Sequence, residues 1–425
     1  MSQTSFQVGD PGTLIKQSIG LFRTNQKRKG VISYLSGPMP KMEGDKAQSS
    51  AEYPIVKALD LGRGIGDTVT FDLINPMQAL PIMGDDTLQG KGSAISLTQD
   101  RLVVNQHRFA VNAGGAMSQN RTMWDMRTIA RGETQKLIDR YADQLPLVHM
   151  CGARGSFYNN HWTIPLESHA KFSSIIKNPL RAPAKVRHFM STGSGIEPFT
   201  VSGGEVQLGT TDVFNKDVVD SVKAYLEMTE FQIPNIIIDG DKSGYDDPMW
   251  ILLVSPDQYA AFQQDSAFRT FQSYALARAN VAGQHPLFMG QVGLWQGILI
   301  RKMPYPIRFY SGDKINYCAS STSATESSAT VPAALGAAGY CVDRAILLGG
   351  QALAQAMAKH GFTGAPIFFN EEWGDHKNTI EYSVAMVDGV SKVRFSVKQP
   401  GGETVIVDHG VTVIDTAVKM TQLPR

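Results

Sequence analysis

Charge of either sign is scarce and balanced. Lys and Arg number 40 against 39 Asp and Glu in 425 residues, and charged residues make up 19%. A chain so near neutrality has no global field to draw nucleic acid or an anionic membrane, so any DNA contact has to be local and weak. Cysteine is almost missing. Cys151, Cys318 and Cys341 make no disulfide framework and suit a reducing compartment. The first residues, MSQTSFQVGD, lack the basic and then apolar segments of a signal peptide. No apolar run approaches the ~20 residues of a membrane helix. A soluble protein made inside a cell, with no membrane partner, is the expectation.

The usual marks of catalysis are also absent. None of the nine histidines stands in an HxxxH pair, and there is no CxxC and no GxSxG, so zinc has no cage and a serine no nucleophile elbow. GRGIGD at 62–67 resembles a phosphate loop, but it precedes a strand rather than opening a helix. His149 and Cys151 lie close together with no second ligand pair and read as structural. Ser194 in STGSGIE has no assigned base. The nearest metal candidate is DGDKSGYDD, where Asp239, Asp241, Ser243 and Asp247 match the early positions of a calcium loop. Its closing Glu is replaced by Trp250 and its flanks are strand-like, and turns rich in Asp and Gly explain the same letters. Glu371 and Glu372, beside Trp373 and Asp375, read as a solvated loop whose adjacent carboxylates do not converge. No cofactor, metal or catalytic constellation is expected.

What is present is a long helical pattern. From Ser118 to Leu145, Met123, Met126, Ala130, Thr134, Leu137, Tyr141 and Leu145 recur at spacings of three and four and draw one stripe. Trp124, Ile138 and Ala142 flank it. Ser118 or Asn120 is expected to cap this helix and Pro146 to stop it. Gly132 costs about 1 kcal/mol mid-helix, so packing has to hold the helix together.

At 425 residues with 42% hydrophobic content, the chain is long enough for two or three domains. Residues 1–57 have no sustained period beyond a short amphipathic stretch through Ile15, Ile19 and Phe22, and Lys27, Arg28 and Lys29 read as a solvated turn. This segment reads as an arm. From Gly66 to Asn112 the period is two. Strands through Val69, Phe71 and Leu73 and through Val103, His107, Phe109 and Val111 surround a turn-rich tip. Residues 151–215 show few elements. Further helices are expected over 217–231, after Ser255-Pro256-Asp257 with a break near Asp265, and over AILLGGQALAQAMAKHG to Gly361. Residues 318–340 read as an exposed small-residue loop, and the last part as closing strands. Ordering an arm and a ribbon this long costs ~1–2 kcal/mol per residue, an expense that neighbouring subunits offset.

These elements resemble, in order, the major capsid proteins of tailed bacteriophages, the α+β Hong Kong 97 type, and particularly the N-four-like podovirus branch. The phrases that carry the resemblance are AMSQNRTMWDMRTIARGE (116–133), GARG (152–155), WILLVSPDQYAAF (250–262), HPLFMGQVGLWQGILI (285–300), RAILLGGQALAQAMAKHG (344–361) and VIVDHGVTVIDTAV (405–418). The resemblance implies an N-terminal arm at 1–57 and an extended loop at 58–115. It further implies a peripheral domain with a spine helix at 116–234 and 373–425, and an axial domain at 235–372. Self-assembly into pentamers and hexamers of an icosahedral shell around double-stranded DNA is implied, the protein being made in the bacterial cytoplasm and residing in the virion. Scaffolding, portal and decoration proteins are implied partners. Met83, Asp85, Asp86 and Lys91 at the loop tip are the implied inter-subunit contacts. Some relatives cross-link lysine to asparagine, but only Lys91 offers an analogue and no partner is identified. A cellular nanocompartment shell and an intracellular α/β enzyme are the alternatives.

Overall fold

The computed structural model describes residues 31–37, 52–61, 67–74, 81–84, 86–87, 89, 97–117, 125–238, 248–264, 268–281, 293–358, 366–399 and 403–420. The architecture is α+β, organised by two sheets and one long helix. A strand at Ile55–Leu61 (β1) is followed by the antiparallel pair Thr68–Ile74 (β2) and Leu97–Val103 (β3), then by Asn105–Gly115 (β4). Period two therefore delivers strands where the alternation predicts them.

The long helix, Met126–Cys151 (α1), differs from expectation at both ends. Asp125 caps it, its carboxylate accepting the Arg127 and Thr128 amides at 3.0 and 3.4 Å and the Thr128 hydroxyl at 2.6 Å. Residues 118–124, including the expected caps Ser118 and Asn120, lie outside the described residues. Pro146 does not stop the helix, which continues to Cys151 and ends at Gly152 in the left-handed conformation. Every residue from Gln144 to Cys151 is buried, and burial at roughly 1.5–3 kcal/mol per large apolar side chain outweighs a proline penalty of about 3 kcal/mol. The buried line runs through Ala130, Thr134, Ile138, Tyr141 and Leu145, so its axis passes through Ile138 rather than Leu137.

The helix lies across a five-stranded sheet whose centre is the strand Thr379–Lys392. That strand pairs antiparallel with β4, with Ile367–Gly374 and with Leu353–Ala358, and the last of these pairs parallel with β1. A second, eight-stranded sheet runs in the order Gly293–Trp295, Ile298–Lys302, Trp250–Val254, Tyr340–Leu348, Val411–Lys419, His188–Ser191, Ile196–Pro198, with Arg308–Phe309 paired to Tyr340–Leu348. Its central strands are buried on both faces. Trp250, Leu252, Val254, Ile300, Leu347 and Ile414 pack with the helices Lys216–Met228, Pro256–Gln263 and Phe268–Val281. The alternating Ile251, Leu253, Leu299, Ile346, Leu348 and Val413 join the core at the end of α1.

That double burial explains the largest correction. The run expected as a helix to Gly361 is, over its described residues to Ala358, two strands, Tyr340–Leu348 and Leu353–Ala358. Gln351 and Gln355 stand at helical spacing and suggest a polar face, yet Gln355 is buried in its strand, and cover on both sides decides the outcome. Gly349 turns the chain where a Cβ would strike the Ile233 side chain and the Pro234 carbonyl. Residues 318–340 are also no plain loop. Glu326–Thr330 pairs with Lys314–Cys318 in a hairpin, and Ala333–Ala337 is a short helix. Glu371 and Glu372 lie in a strand, opposite Tyr382 and Glu381, so they alternate across its two faces and still do not converge. The other helices keep their expected places. Asn215 caps Lys216–Met228, and a full capping box of Ser255 and Gln258 opens Pro256–Gln263.

Candidate functional site

The β2–β3 ribbon pairs with neither of the two main sheets. It forms a sheet of its own, in register from Thr68↔Val103 to Ile74↔Leu97. A two-stranded ribbon is at best marginally stable alone, so its root has to be held. Leu102 is fully buried with Ala354, Ala356, Val393 and Phe395, and Val69 and Phe71 pack beside them. Asn178 both accepts the Val103 amide at 2.8 Å and donates to the Val103 carbonyl at 2.9 Å. The Arg181 guanidinium grips both oxygens of Asp100 at 2.6 and 2.7 Å, a bidentate geometry that fixes direction as well as distance. The hold continues along β3, where Asp100 also accepts the Arg394 amide at 3.1 Å and the Thr98 hydroxyl donates to the Ser396 carbonyl at 3.0 Å, while Leu97 is 63% and Met83 75% exposed. Asp86 is exposed too, whereas Asp85 and Lys91 lie outside the described residues.

Beneath the root is a buried charge cluster that the sequence patterns do not reveal. Asp408 receives Lys392 Nζ at 2.8 Å, Arg394 Nε at 2.7 Å and the Ala184 amide at 2.9 Å. Lys392 and Asp408 are about 1% exposed or less. Burial alone would raise the Asp408 pKa, but the two cations outweigh it and hold the carboxyl well below its usual range. Burial takes Lys392 the other way, to about 8, against the pull of Asp408. Three donors converge on Asp408 and keep it ionised. A second cluster ties the exit of α1 to the closing strand. Arg344 forks onto Asp415 at 2.7 and 2.9 Å and donates to the Cys151 carbonyl at 3.0 Å, while His188 meets Asp415 at 2.8 Å. In a third, Arg308 bridges Asp343 and Asp257 at 2.6 and 2.5 Å. The one signal pointing to them is an acid or arginine inside otherwise apolar strands, as in RAILL and VIDTAV.

The residues singled out for chemistry do not assemble. His149 and Cys151 are buried in the last turn of α1, and Ser194 is exposed in the turn between two strands. Asp239, Asp241, Ser243 and Asp247 lie outside the described residues. Among the described residues no three His, Cys, Asp or Glu side chains form a metal-binding group, and no helix is long and apolar enough to cross a membrane.

His149 does shape the response to acid. Burial first, then Arg181 and Lys392, lower its pKa to about 3, and burial with Arg187 lowers His409 to about 4. A depressed folded pKa means the folded chain binds fewer protons. The stability from neutral His149 is therefore complete above about 6.5 and is lost as pH falls toward about 3, at up to ~1.4 kcal/mol per pH unit. Denaturant titrations at pH 7 and pH 5 are expected to differ by about 2 kcal/mol more in the natural protein than in His149→Gln. Equal slopes in the two proteins would refute this.

A family model for phage capsid protein matches residues 5–420. Solved structures of similar fold include the capsid of Ralstonia phage GP4, at TM-score 0.65 and 21% identity over 100% of both chains. The head of Helicobacter pylori bacteriophage KHP40 aligns at 0.53 and 11% identity, over 87% of this chain and 88% of that one. The cyanophage Pam1 capsid aligns at 0.52 and 14%, over 84% and 86%. No curated protein matches the chain. At these identities the structures establish the shared fold, and the family match supplies the membership: this chain belongs to the phage capsid protein family.

Proposed function

We propose that copies of this major capsid protein assemble into pentamers and hexamers, which close an icosahedral shell around packaged double-stranded DNA. The observation that carries the reading is a two-stranded ribbon held to the body along β3, with Leu97 and Met83 exposed, in a chain whose family match spans residues 5–420. Such a ribbon gains its missing contacts from a neighbouring copy. The tip residues Met83, Asp85, Asp86 and Lys91 are proposed to meet that neighbour.

In this reading 1–57 is the arm and 58–115 the extended loop. Residues 116–234 with 373–425 form the peripheral region, and 235–372 the axial one. The eight-stranded sheet runs continuously across the last two, since Val411–Lys419 pairs with Tyr340–Leu348 on one side and His188–Ser191 on the other. Peripheral and axial therefore name regions sharing a core, not separately folding units. A scaffolding protein and a portal serve during assembly in the bacterial cytoplasm, and a decoration protein afterwards. Near-neutral charge fits weak, non-specific contact with the genome. The role is structural rather than catalytic, and the match across the chain does not favour a nanocompartment or an enzyme.

Deleting 76–92 tests the ribbon's part. Co-expressed with the phage's other head proteins, the shortened subunit is expected to keep its circular dichroism spectrum and melting transition. Closed shells in electron micrographs should fall at least tenfold. Shells in normal yield would sink the assignment.

A further inference from the structure

After α1 the chain makes an excursion with neither helix nor strand before Phe172–Ile175, and two buried polar side chains hold it. Arg154, from the GARG phrase, is 0% exposed, and its Cζ lies 3.5 Å from the centroid of the Trp162 ring. Its Nη1 donates to the Phe157 carbonyl at 2.9 Å and its Nε to the Ile164 carbonyl at 3.0 Å. The chain therefore leaves and returns at one guanidinium, the form of an Ω-loop, and residues 158–163 are not needed to span a gap. Gln144, buried on α1, fixes the returning limb. Its Nε2 donates to the His161 carbonyl at 2.7 Å, and its Oε1 accepts the Thr163 amide at 2.9 Å and hydroxyl at 2.7 Å. Trp162 and Ile164 are buried as well. At the tip Asn159 makes a turn, its side chain accepting the His161 amide at 3.0 Å. Tyr158 stands 62% exposed, near exposed Asn160 and His161. Taking a guanidinium out of water is costly. What it secures here is the shape of an exposed loop.

We propose that this loop is a preformed contact surface for a second copy of the chain, with Tyr158 as its anchor, a proposal that rests on the assembly reading above. Composition narrows the partner. Residues 155–166, GSFYNNHWTIPL, hold no Lys, Arg, Asp or Glu. Without lysine or arginine the loop has little to draw the phosphates of DNA, and without fixed charge of either sign it suits a neutral protein surface. Gly, Ser, Tyr and Asn are the residues that recognition loops favour. Tyrosine offers a large ring at small entropic cost, while serine and asparagine adapt their hydrogen bonds. Holding the loop in shape beforehand lowers the ordering cost of association. In a shell of identical subunits, the protein surface that each loop meets in the same geometry is that of another copy.

Tyr158→Ala removes an exposed ring, so the melting temperature of the subunit is expected to stay within about 2 °C of the natural protein. Closed shells, formed beside the phage's other head proteins, should fall about fivefold or more, and Tyr158→Phe should keep most of them. Normal shell yield from Tyr158→Ala, beside normal shells of the natural protein, would overturn the loop's role alone. No shells from the natural protein would overturn the assembly reading and the loop with it. A direct readout places a photo-crosslinking benzoylphenylalanine at position 158 in a minority of subunits within shells of the natural protein. Illumination is expected to join two copies of the chain through this residue in shells and not in dissociated subunits. Products joined only to a scaffolding or decoration protein, or no products at all, would overturn the second copy as the partner.

Discussion

Asp408→Ala is expected to destabilise the subunit by about 3–5 kcal/mol, the range for removing one partner of a buried ion cluster. The loss comes less from the missing attraction than from what stays behind. Lys392 and Arg394 would remain side by side beneath the ribbon, two cations with their shared anion gone. The Ala184 amide would lose its acceptor as well. Lys392, already held at about 8 by burial, would fall further once Asp408 is gone. A lysine with a depressed folded pKa loses stability as pH falls, so the deficit should narrow between pH 7 and pH 9 as Lys392 gives up its proton. Arg394 has no such escape. Asp408→Asn keeps an acceptor for one cation and should cost less than the alanine variant. Denaturant midpoints of the three proteins at both pH values check the order. An alanine variant within 1 kcal/mol of the natural protein would show that water reaches this cluster.

The apolar parts of the fold are legible because their periods are. Alternation through Val69, Phe71 and Leu73 yields β2, and spacings of three and four yield α1, whose buried line misses the expected axis by one residue. The misses share a cause. Local preference speaks for a stop at Pro146 and for a helix over 344–361, whereas burial against distant strands decides both. Nothing near residue 348 announces that Val411–Lys419 will cover one edge and Trp250–Val254 the other. A mostly apolar run with scattered polar residues, such as Gln351 and Gln355 here, fits a buried helix or a doubly covered strand equally well. The charge clusters are hidden for the same reason. Arg181 and Asp100 are 81 residues apart, and His188 and Asp415 are 227 apart. The family resemblance reaches farther than the residue patterns, because it rests on the order of elements along the chain rather than on their contacts.

Gly152→Ala is expected to cost about 2–3 kcal/mol, which is large for the addition of one methyl group. Gly152 closes α1 with φ of +66°, a conformation an alanine adopts only under strain, and its Cβ would strike the Arg181 carbonyl. Backbone, unlike the end of a flexible side chain, moves aside only by shifting its whole residue. Arg181 is the residue that grips Asp100 at the ribbon root. A displaced Arg181 backbone would swing that fork off its carboxylate, carrying the effect from helix cap to ribbon. The variant should therefore lose closed shells at temperatures where the subunit remains folded. Gly132→Ala, on the same helix, is the control. Its Cβ would meet nothing within 4 Å, and replacing a mid-helix glycine by alanine gains up to about 1 kcal/mol. Opposite changes in melting temperature for the two substitutions are the expected result. A fall of similar size in both would mean that the helix as a whole resists added bulk, and the link from Gly152 through Arg181 to the ribbon would fail.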